Sequence, residues 1–422
     1  MTPTDVTAGV SPIDAERLWS GLRAAAEIGA WRRPGVQRLA LSDADRQMRD
    51  RFTGWCRDSG LEVRVDRIGN IFARRPGTEA IEPVMIGSHL DTQVAGGRYD
   101  GVLGVLAGLE IVRWLNDHGL STRRPVEVVS WTNEEGARFR PAMLGSAAFT
   151  GAIELQAALD QRDDDGRRLA DELERIGYAG GDGVPGKPPH AYFELHIEQG
   201  DVLDRRAVDL GIVTGAYPAR GVEIRVRGAT AHAGATPMRL RRDALAGAAE
   251  MITAIETLAT QGGGDGRTTT TRLEVWPNAT GIVPAEVMLS VDYRHTGEAE
   301  LERMATELER EVTRIADRRE LDVSWDQLWE FGEGVTFDAE LAAIARRHAG
   351  TLGVEALQMH SAAGHDAYWL ATVAPVLLLF VPCVDGITHN EHEEIEFHRV
   401  LRGVNVLAAS VLEVANRPGA EG

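Results

Sequence analysis

Histidines and carboxylates stand in a few short polar phrases spread along the chain. His89, Asp91 and Asp100 lie in GSHLDTQVAGGRYDG, residues 87–101, and Glu134 and Glu135 are adjacent in WTNEEG. His196 and Glu198 belong to FELHIEQG, and His389 to THNEHEE. Neutral imidazole and carboxylate are ligands that zinc, manganese, cobalt or nickel accept without any cysteine. Two cations held close together need about five protein ligands and room for a shared water. His89, Asp100, Glu135, His196 and His389 would supply three imidazoles and two carboxylates. The adjacent acids Glu134 and Glu135 then divide naturally, one binding metal and the other moving a proton. Taken singly, each phrase has an ordinary explanation. A His-x-Asp is a common loop, a Glu-Glu pair is usually a solvated face, and Asp100 is placed to cap a following helix. Only their coincidence points to a metal centre.

Such groups must be brought together by the elements around them. Residues 14–29 and 43–59 read as amphipathic helices, the second capped by Ser42. LEVRVD and NIFARR read as strands joined by a turn at Gly69-Asn70. PVMIGS reads as a short buried strand and VEVVSW as the next strand, with the helix GVLGVLAGLEIVRWLNDHG between them, ending at Gly119. Strands alternating with helices predict an α/β domain with a mixed, mostly parallel sheet covered by helices. In such sheets ligands bind beyond the carboxyl ends of the strands, where these polar phrases fall.

Near residue 214 the pattern changes. VEIRVRG alternates as a half-exposed strand does, and a helix is predicted from Pro237. TRLEVWP and EVMLSVDYRH read as further strands, followed by a charged helix from Glu300 to about Arg319. This β-α-β-β-α order predicts an inserted α+β domain, with QGGGDGRTTT as a flexible connection inside it. The expected organisation is a catalytic domain in two parts, 1–213 and 331–422, around an insert at 214–330.

Composition narrows the partners. The chain has 422 residues, 43% hydrophobic and 26% charged, and carries a net charge of −19. That balance argues against nucleic acid or an anionic membrane as the main partner. Cys56 and Cys383 are the two cysteines, which fits a reducing cytoplasm. MTPTDVTAGVSPIDAERLW has neither the basic start nor the apolar core of a signal peptide. VAPVLLLFVPC, the most apolar run, is about half the ~20 residues a membrane span needs.

The phrases GSHLDTQVAGGRYDGVLGVL, TNEEGARFRPAMLGSAAFTG, HIEQG, AHAGATPM, DYRH, AGHDA and THNEHE occur in one order over nearly the whole chain. In that order they resemble the hydantoinase/carbamoylase family of metal-dependent amidases. The family includes N-carbamoyl-L-amino-acid hydrolases, β-ureidopropionases and allantoate amidohydrolases, and is a branch of a clan of two-metal exopeptidases and deacylases. The resemblance implies two divalent metal ions per subunit, held by His89, Asp100, Glu135, His196 and His389, with Asp100 bridging. It implies Glu134 as general base and Asp91 as the group orienting His89. Gln199, His232, Arg294 and Gly364 match substrate-holding positions. His232 would also stabilise the oxyanion, reaching the site across a homodimer interface built by the inserted lid. The implied reaction is cleavage of a C–N bond in a small N-carbamoyl or N-acyl amino-acid-like substrate. An allantoate- or ureidoglycolate-type amidohydrolase and an exopeptidase of the same clan are the alternatives. An acid at position 196 would favour the exopeptidase. Two departures concern the substrate. Gly281 stands where the family carries an asparagine that helps Arg294 grip a carboxylate, and Ala362 stands where glycine is usual.

Overall fold

The computed structural model describes residues 12–261, 266–331 and 334–418, so part of the QGGGDGRTTT connection and most of the N-terminal segment lie outside the described residues. The chain divides into one unit of Met1–Gly215 with Thr336–Gly422, and a second of Ala216–Val335. These boundaries differ from the expected 213/214 and 330/331. The strand Leu210–Ala216 runs on in the larger sheet, and Asp322–Phe331 runs to the end of the smaller one.

The larger unit is built on a nine-stranded sheet. Its strands run in the order Glu62–Val65, Ile71–Arg75, Val126–Trp131, Val84–His89, Ala191–Ile197, Val376–Val381, Leu210–Ala216 and Val335–Thr336, with Ala356–Ser361 also on Leu210–Ala216. The four central strands, from Val126–Trp131 to Val376–Val381, are mutually parallel. Each is fully buried, which explains their near-continuous apolar sequences. The helices Ala15–Ala26, Val102–Asp117, Ala339–Thr351 and Phe397–Asn416 contribute Leu22, Leu109, Ile344 and Leu407 to one core with Ile86, Val128, Phe193 and Leu379. Ser42 caps Asp43–Asp58 as expected, its Oγ accepting from Asp45 N at 3.2 Å. Among the described residues, no helix is long and apolar enough to cross a membrane.

In the smaller unit the sheet order is Asp322–Phe331, Ala219–Arg227, Glu286–Arg294, Arg267–Trp276, antiparallel throughout. VEIRVR alternates because Ile224 and Val226 face the core while Arg225 and Arg227 do not. Helices Ala244–Gln261 and Glu298–Arg319 close that core with Met251, Ile255, Leu308 and Val312. Two sequence expectations are corrected here. The first helix starts at Ala244, not at Pro237, because Pro237 and Arg241 both have extended backbone. Asp243 Oδ1 accepts from Ala246 N at 3.0 Å, supplying the cap. The order is β-α-β-β-α-β, with a last strand, Asp322–Phe331, whose alternation breaks at a register shift between Gln327 and Trp329.

Candidate metal centre and active site

The carboxyl ends of the four central parallel strands each deliver part of one cluster. His89 is the last residue of Val84–His89, and Glu134 and Glu135 follow Val126–Trp131 within four residues. His196 lies inside Ala191–Ile197 rather than beyond it, and His389 follows Val376–Val381. Asn133, Met143, Gln199 and His389, in the segments that follow these strands, have positive φ, at 56°, 53°, 61° and 48°, a conformation uncommon for residues other than glycine and asparagine.

Asp100 lies at the middle of this cluster. Its Oδ1 is 3.1 Å from His196 Nε2 and 3.6 Å from His89 Nε2. Its Oδ2 is 3.3 Å from His389 Nε2, which is itself 3.3 Å from Glu135 Oε2. Two trios result, His89–Asp100–His196 and Asp100–Glu135–His389. In each, the ligand atoms lie within 4.8 Å of one another. The helix-cap explanation of Asp100 fails, since Val102–Asp117 has no side-chain cap and begins from Gly101 at φ 68°. Gly101 also has to lack a side chain: a Cβ there would lie 2.3 Å from His89 Cε1.

The donor set fits divalent cations. His89 Nδ1 donates to the Asp91 carbonyl at 2.8 Å and His196 Nδ1 to the Ile197 carbonyl at 2.9 Å. Each ring therefore turns Nε2 toward Asp100. Asp100 Oδ1 is buried and makes no hydrogen bond among the described residues. A buried lone pair facing two imidazole nitrogens requires positive charge between them, from a cation or from protons.

The electrostatics carry the same demand. Burial opposes charge on Asp100, yet His196, His389 and His89 hold it well below the usual carboxylate range. Burial also acts to lower the three imidazoles, but the acids outweigh it. His89 and His196 are raised, and His389 is pushed up to about 9. Glu134 is buried, with Oε2 3.6 Å from His89 Nε2. Burial, then Asp366, Glu135 and Asp91, raise it well above the usual carboxylate range against the pull of His89. A carboxylate so placed is a strong proton acceptor.

Asp91 acts through two different groups. Its main-chain carbonyl holds His89, while its carboxylate oxygens accept the backbone N–H of Glu134 and of Glu135, both at 3.3 Å. Gln199 donates from Nε2 to Asp100 Oδ2 at 3.0 Å. Gly364 sits against Met143, where an added Cβ would come within 3.3 Å of the methionine Cε.

His232, Gly281 and Arg294 belong to the smaller unit. His232 is exposed at the end of the two-residue strand Ala231–His232, which pairs with Ile282–Val283. Its Nδ1 accepts the N–H of Gly234 and of Ala235, both at 3.1 Å. That fixes Nδ1 as acceptor and leaves the proton on Nε2. Gly281 adjoins this segment, its carbonyl accepting from Ala233 N at 3.0 Å. It has φ 83°, and a Cβ built on it would meet nothing within 4 Å. Arg294 donates from Nε to Asp292 Oδ1 at 2.9 Å, with Nη2 on Oδ2 of the same residue.

Residues 85–413 match peptidase family M20/M25/M40. The chain belongs to this family. It is 41% identical over 409 residues to the N-carbamoyl-L-amino-acid amidohydrolase of Rhizobium meliloti, covering 96% of this chain and 97% of that one. The allantoate amidohydrolase of Escherichia coli is 32% identical, with 90% and 93% covered. The crystal structure of a hydantoinase/carbamoylase family amidase from Burkholderia vietnamiensis aligns with a TM-score of 0.94 at 44% identity, covering 97% and 99%. The protein is therefore a carbamoylase-type amidohydrolase of the M20 metallohydrolases.

Sequence reasoning missed part of this amidohydrolase's site. Gln93 supports Glu135, donating from its backbone N to Oε1 at 3.1 Å and from Nε2 to Oε2 at 3.0 Å. The His365 ring stands edge-on to His196 at 4.5 Å. Asp366 is fully buried and accepts from Ser146 Oγ at 2.5 Å. Glu194, His196 and His365 form a third trio. It suits a cation less well, since Glu194 already accepts from Ser88 Oγ, Tyr192 OH and Ala367 N. Glu393 and Thr388 complete the support around Asp100. AGHDA held His365 and Asp366 and THNEHEE held Thr388 and Glu393 in plain view, but nothing in their spacing separated them from loop polarity.

Proposed function

We propose that this amidohydrolase cleaves the C–N bond of a small N-carbamoyl or N-acyl amino-acid-like substrate at a centre of two divalent cations. The single observation that carries the reading is Asp100, shared between two imidazole–carboxylate trios. His89 and His196 would hold one ion, Glu135 and His389 the other, and Asp100 would bridge them; zinc, manganese, cobalt and nickel all suit the set. When bound, such ions supply Lewis-acid chemistry, polarising a carbonyl and making water more acidic.

The residues of the chain do the rest. Glu134 takes a proton from the attacking water and returns it to the leaving nitrogen, a transfer matched to its raised proton affinity. Asp91 aligns Glu134 and Glu135 through their backbone amides. The Nε2–H of His232 is the donor for the developing oxyanion, supplied from a second copy in a homodimer. For an N-carbamoyl substrate, water adds to the ureido carbon and the C–N bond breaks. The products are the free amine and carbamate, which decomposes to ammonia and carbon dioxide.

Gly281 favours a second reading of the substrate. The open space beside it, and the engagement of Arg294 by Asp292, support a substrate whose carboxylate is held otherwise than in the N-carbamoyl amino-acid enzymes. The allantoate-type ureido acids are the second substrate class to be tested. The test is the metal-loaded enzyme against N-carbamoyl amino acids, allantoate, ureidoglycolate, N-acyl amino acids and dipeptides, following ammonia and amine together. Amine release without ammonia from dipeptides alone would overturn the carbamoyl reading.

A further inference from the structure

We propose that Glu393 is the positioning residue that sets the Asp100 carboxylate between the two ligand trios, an inference that rests on the metal reading above. Glu393 is fully buried. Its Oε1 accepts the backbone N–H of Tyr99 at 2.8 Å and of Asp100 at 3.1 Å. Its Oε2 faces Thr388 Oγ at 3.1 Å, and the same hydroxyl is 3.2 Å from Asp100 Oδ2. Glu393 therefore holds Asp100 from its backbone, and through Thr388 reaches the oxygen turned toward His389 and Glu135.

The hold also links two distant parts of the sequence. Glu393 lies four residues after His389, and its own N–H returns to the Asn390 carbonyl at 3.2 Å. The loop that offers the His389 imidazole thus also fixes the backbone of Asp100. Glu394 extends the grip on the rim, accepting from Tyr99 OH at 3.0 Å and pairing with Arg98. Gly97 makes room for it. A Cβ there would lie 2.0 Å from the Glu393 carboxyl carbon and 2.1 Å from Oε1, so any side chain at 97 would push the carboxylate off its seat.

A bridging carboxylate must reach two ions at once, so a small rotation of its backbone weakens both bonds. Loss of a group that orients a ligand typically lowers metal affinity ~10- to 100-fold. The experiment titrates the full chain with cobalt(II) alone, using a competing chelator for affinity and the visible absorption bands for coordination. Glu393→Ala should bind cobalt ~10- to 100-fold more weakly, with altered bands. Glu393→Gln, which keeps an oxygen for the two backbone N–H groups, should restore both affinity and spectrum. Gly97→Ala should shift both in the same direction as Glu393→Ala with the glutamate still present. A folded Glu393→Ala that binds with wild-type affinity and bands overturns the proposal, as does a Glu393→Gln no better than alanine. If Glu393→Ala does not fold, Gly97→Ala decides, and wild-type binding there overturns it. A wild-type chain that takes up no cobalt overturns the metal reading and this proposal together.

Discussion

Asp100 turns one carboxylate oxygen to His196, at 3.1 Å, and the other to His389, at 3.3 Å. His196 lies in the strand Ala191–Ile197 and His389 in the loop beyond its parallel neighbour Val376–Val381, so one side chain spans two strand ends. The division is what makes the cluster a candidate for two ions rather than one.

Glu134→Gln should keep its metal and lose its turnover. The amide preserves shape but cannot shuttle a proton, and kcat should fall by at least ~10²-fold. Metal content measured beside kcat checks this. A near-normal rate, or an emptied centre, removes Glu134 from the role of base.

Metal affinity should rise with pH. His89 and His196 are raised and His389 is held near 9 by the surrounding acids, so without cations the imidazoles keep protons to higher pH than ordinary histidine. A raised pKa favours the protonated ring, whereas a cation needs the neutral one. Affinity should therefore drop as pH falls below about 9, by up to about tenfold per unit for each imidazole that must lose a proton. Calorimetry in two buffers of different ionisation enthalpy should record protons released on zinc binding. A flat profile with no proton release would contradict the imidazole ligands.

Inactive His232→Ala and inactive Glu134→Gln subunits, mixed and allowed to exchange, should regain part of the wild-type activity. Recovery requires that the His232 donor and the Glu134 base of one site come from different copies. If exchange is confirmed by mass and no activity returns, His232 serves its own subunit or does not act in the reaction.

Gly281→Asn should raise kcat/KM on ordinary N-carbamoyl-L-amino acids. The position has φ 83°, which asparagine tolerates better than most residues, and nothing stands where its Cβ would go. A hydrogen bond to a charged group is worth ~1.5–3 kcal/mol, which corresponds to a gain of about ten- to a hundredfold. The same substitution should impair any substrate that fills the space. An unchanged ranking across the substrate panel would refute the idea that Gly281 sets specificity.

The larger fold was legible where burial leaves little choice. Val84–His89, Val126–Trp131 and Val376–Val381 are apolar because both faces are covered, and the first two read as strands from their sequences alone. Asp322–Phe331 was not, since on this exposed edge strand the alternation of Val323 and Trp325 with Asp322, Ser324 and Asp326 breaks at a register shift between Gln327 and Trp329. At the centre, His89, Asp100, Glu135, His196 and His389 were legible as residue types that metals accept, and they meet at one end of the sheet. Their support was not. Asp91 works partly through its main-chain carbonyl, and Gln93, Thr388 and Glu393 are polar residues whose partners lie dozens to hundreds of positions away. No local pattern encodes contacts of that range.

The strand Val376–Val381 lies between Ala191–Ile197 and Leu210–Ala216, two strands that precede it by more than 150 residues. During synthesis those earlier strands emerge with the lane between them still empty, and the whole of the smaller unit is made before its occupant appears. The pair must therefore leave that lane open or give it up again when Val376–Val381 arrives near the end of the chain. Pairings of such long sequence separation form slowly and leave apolar edges exposed meanwhile. His389 arrives just after that strand, so a nascent chain cannot assemble the second trio until its sheet is nearly finished.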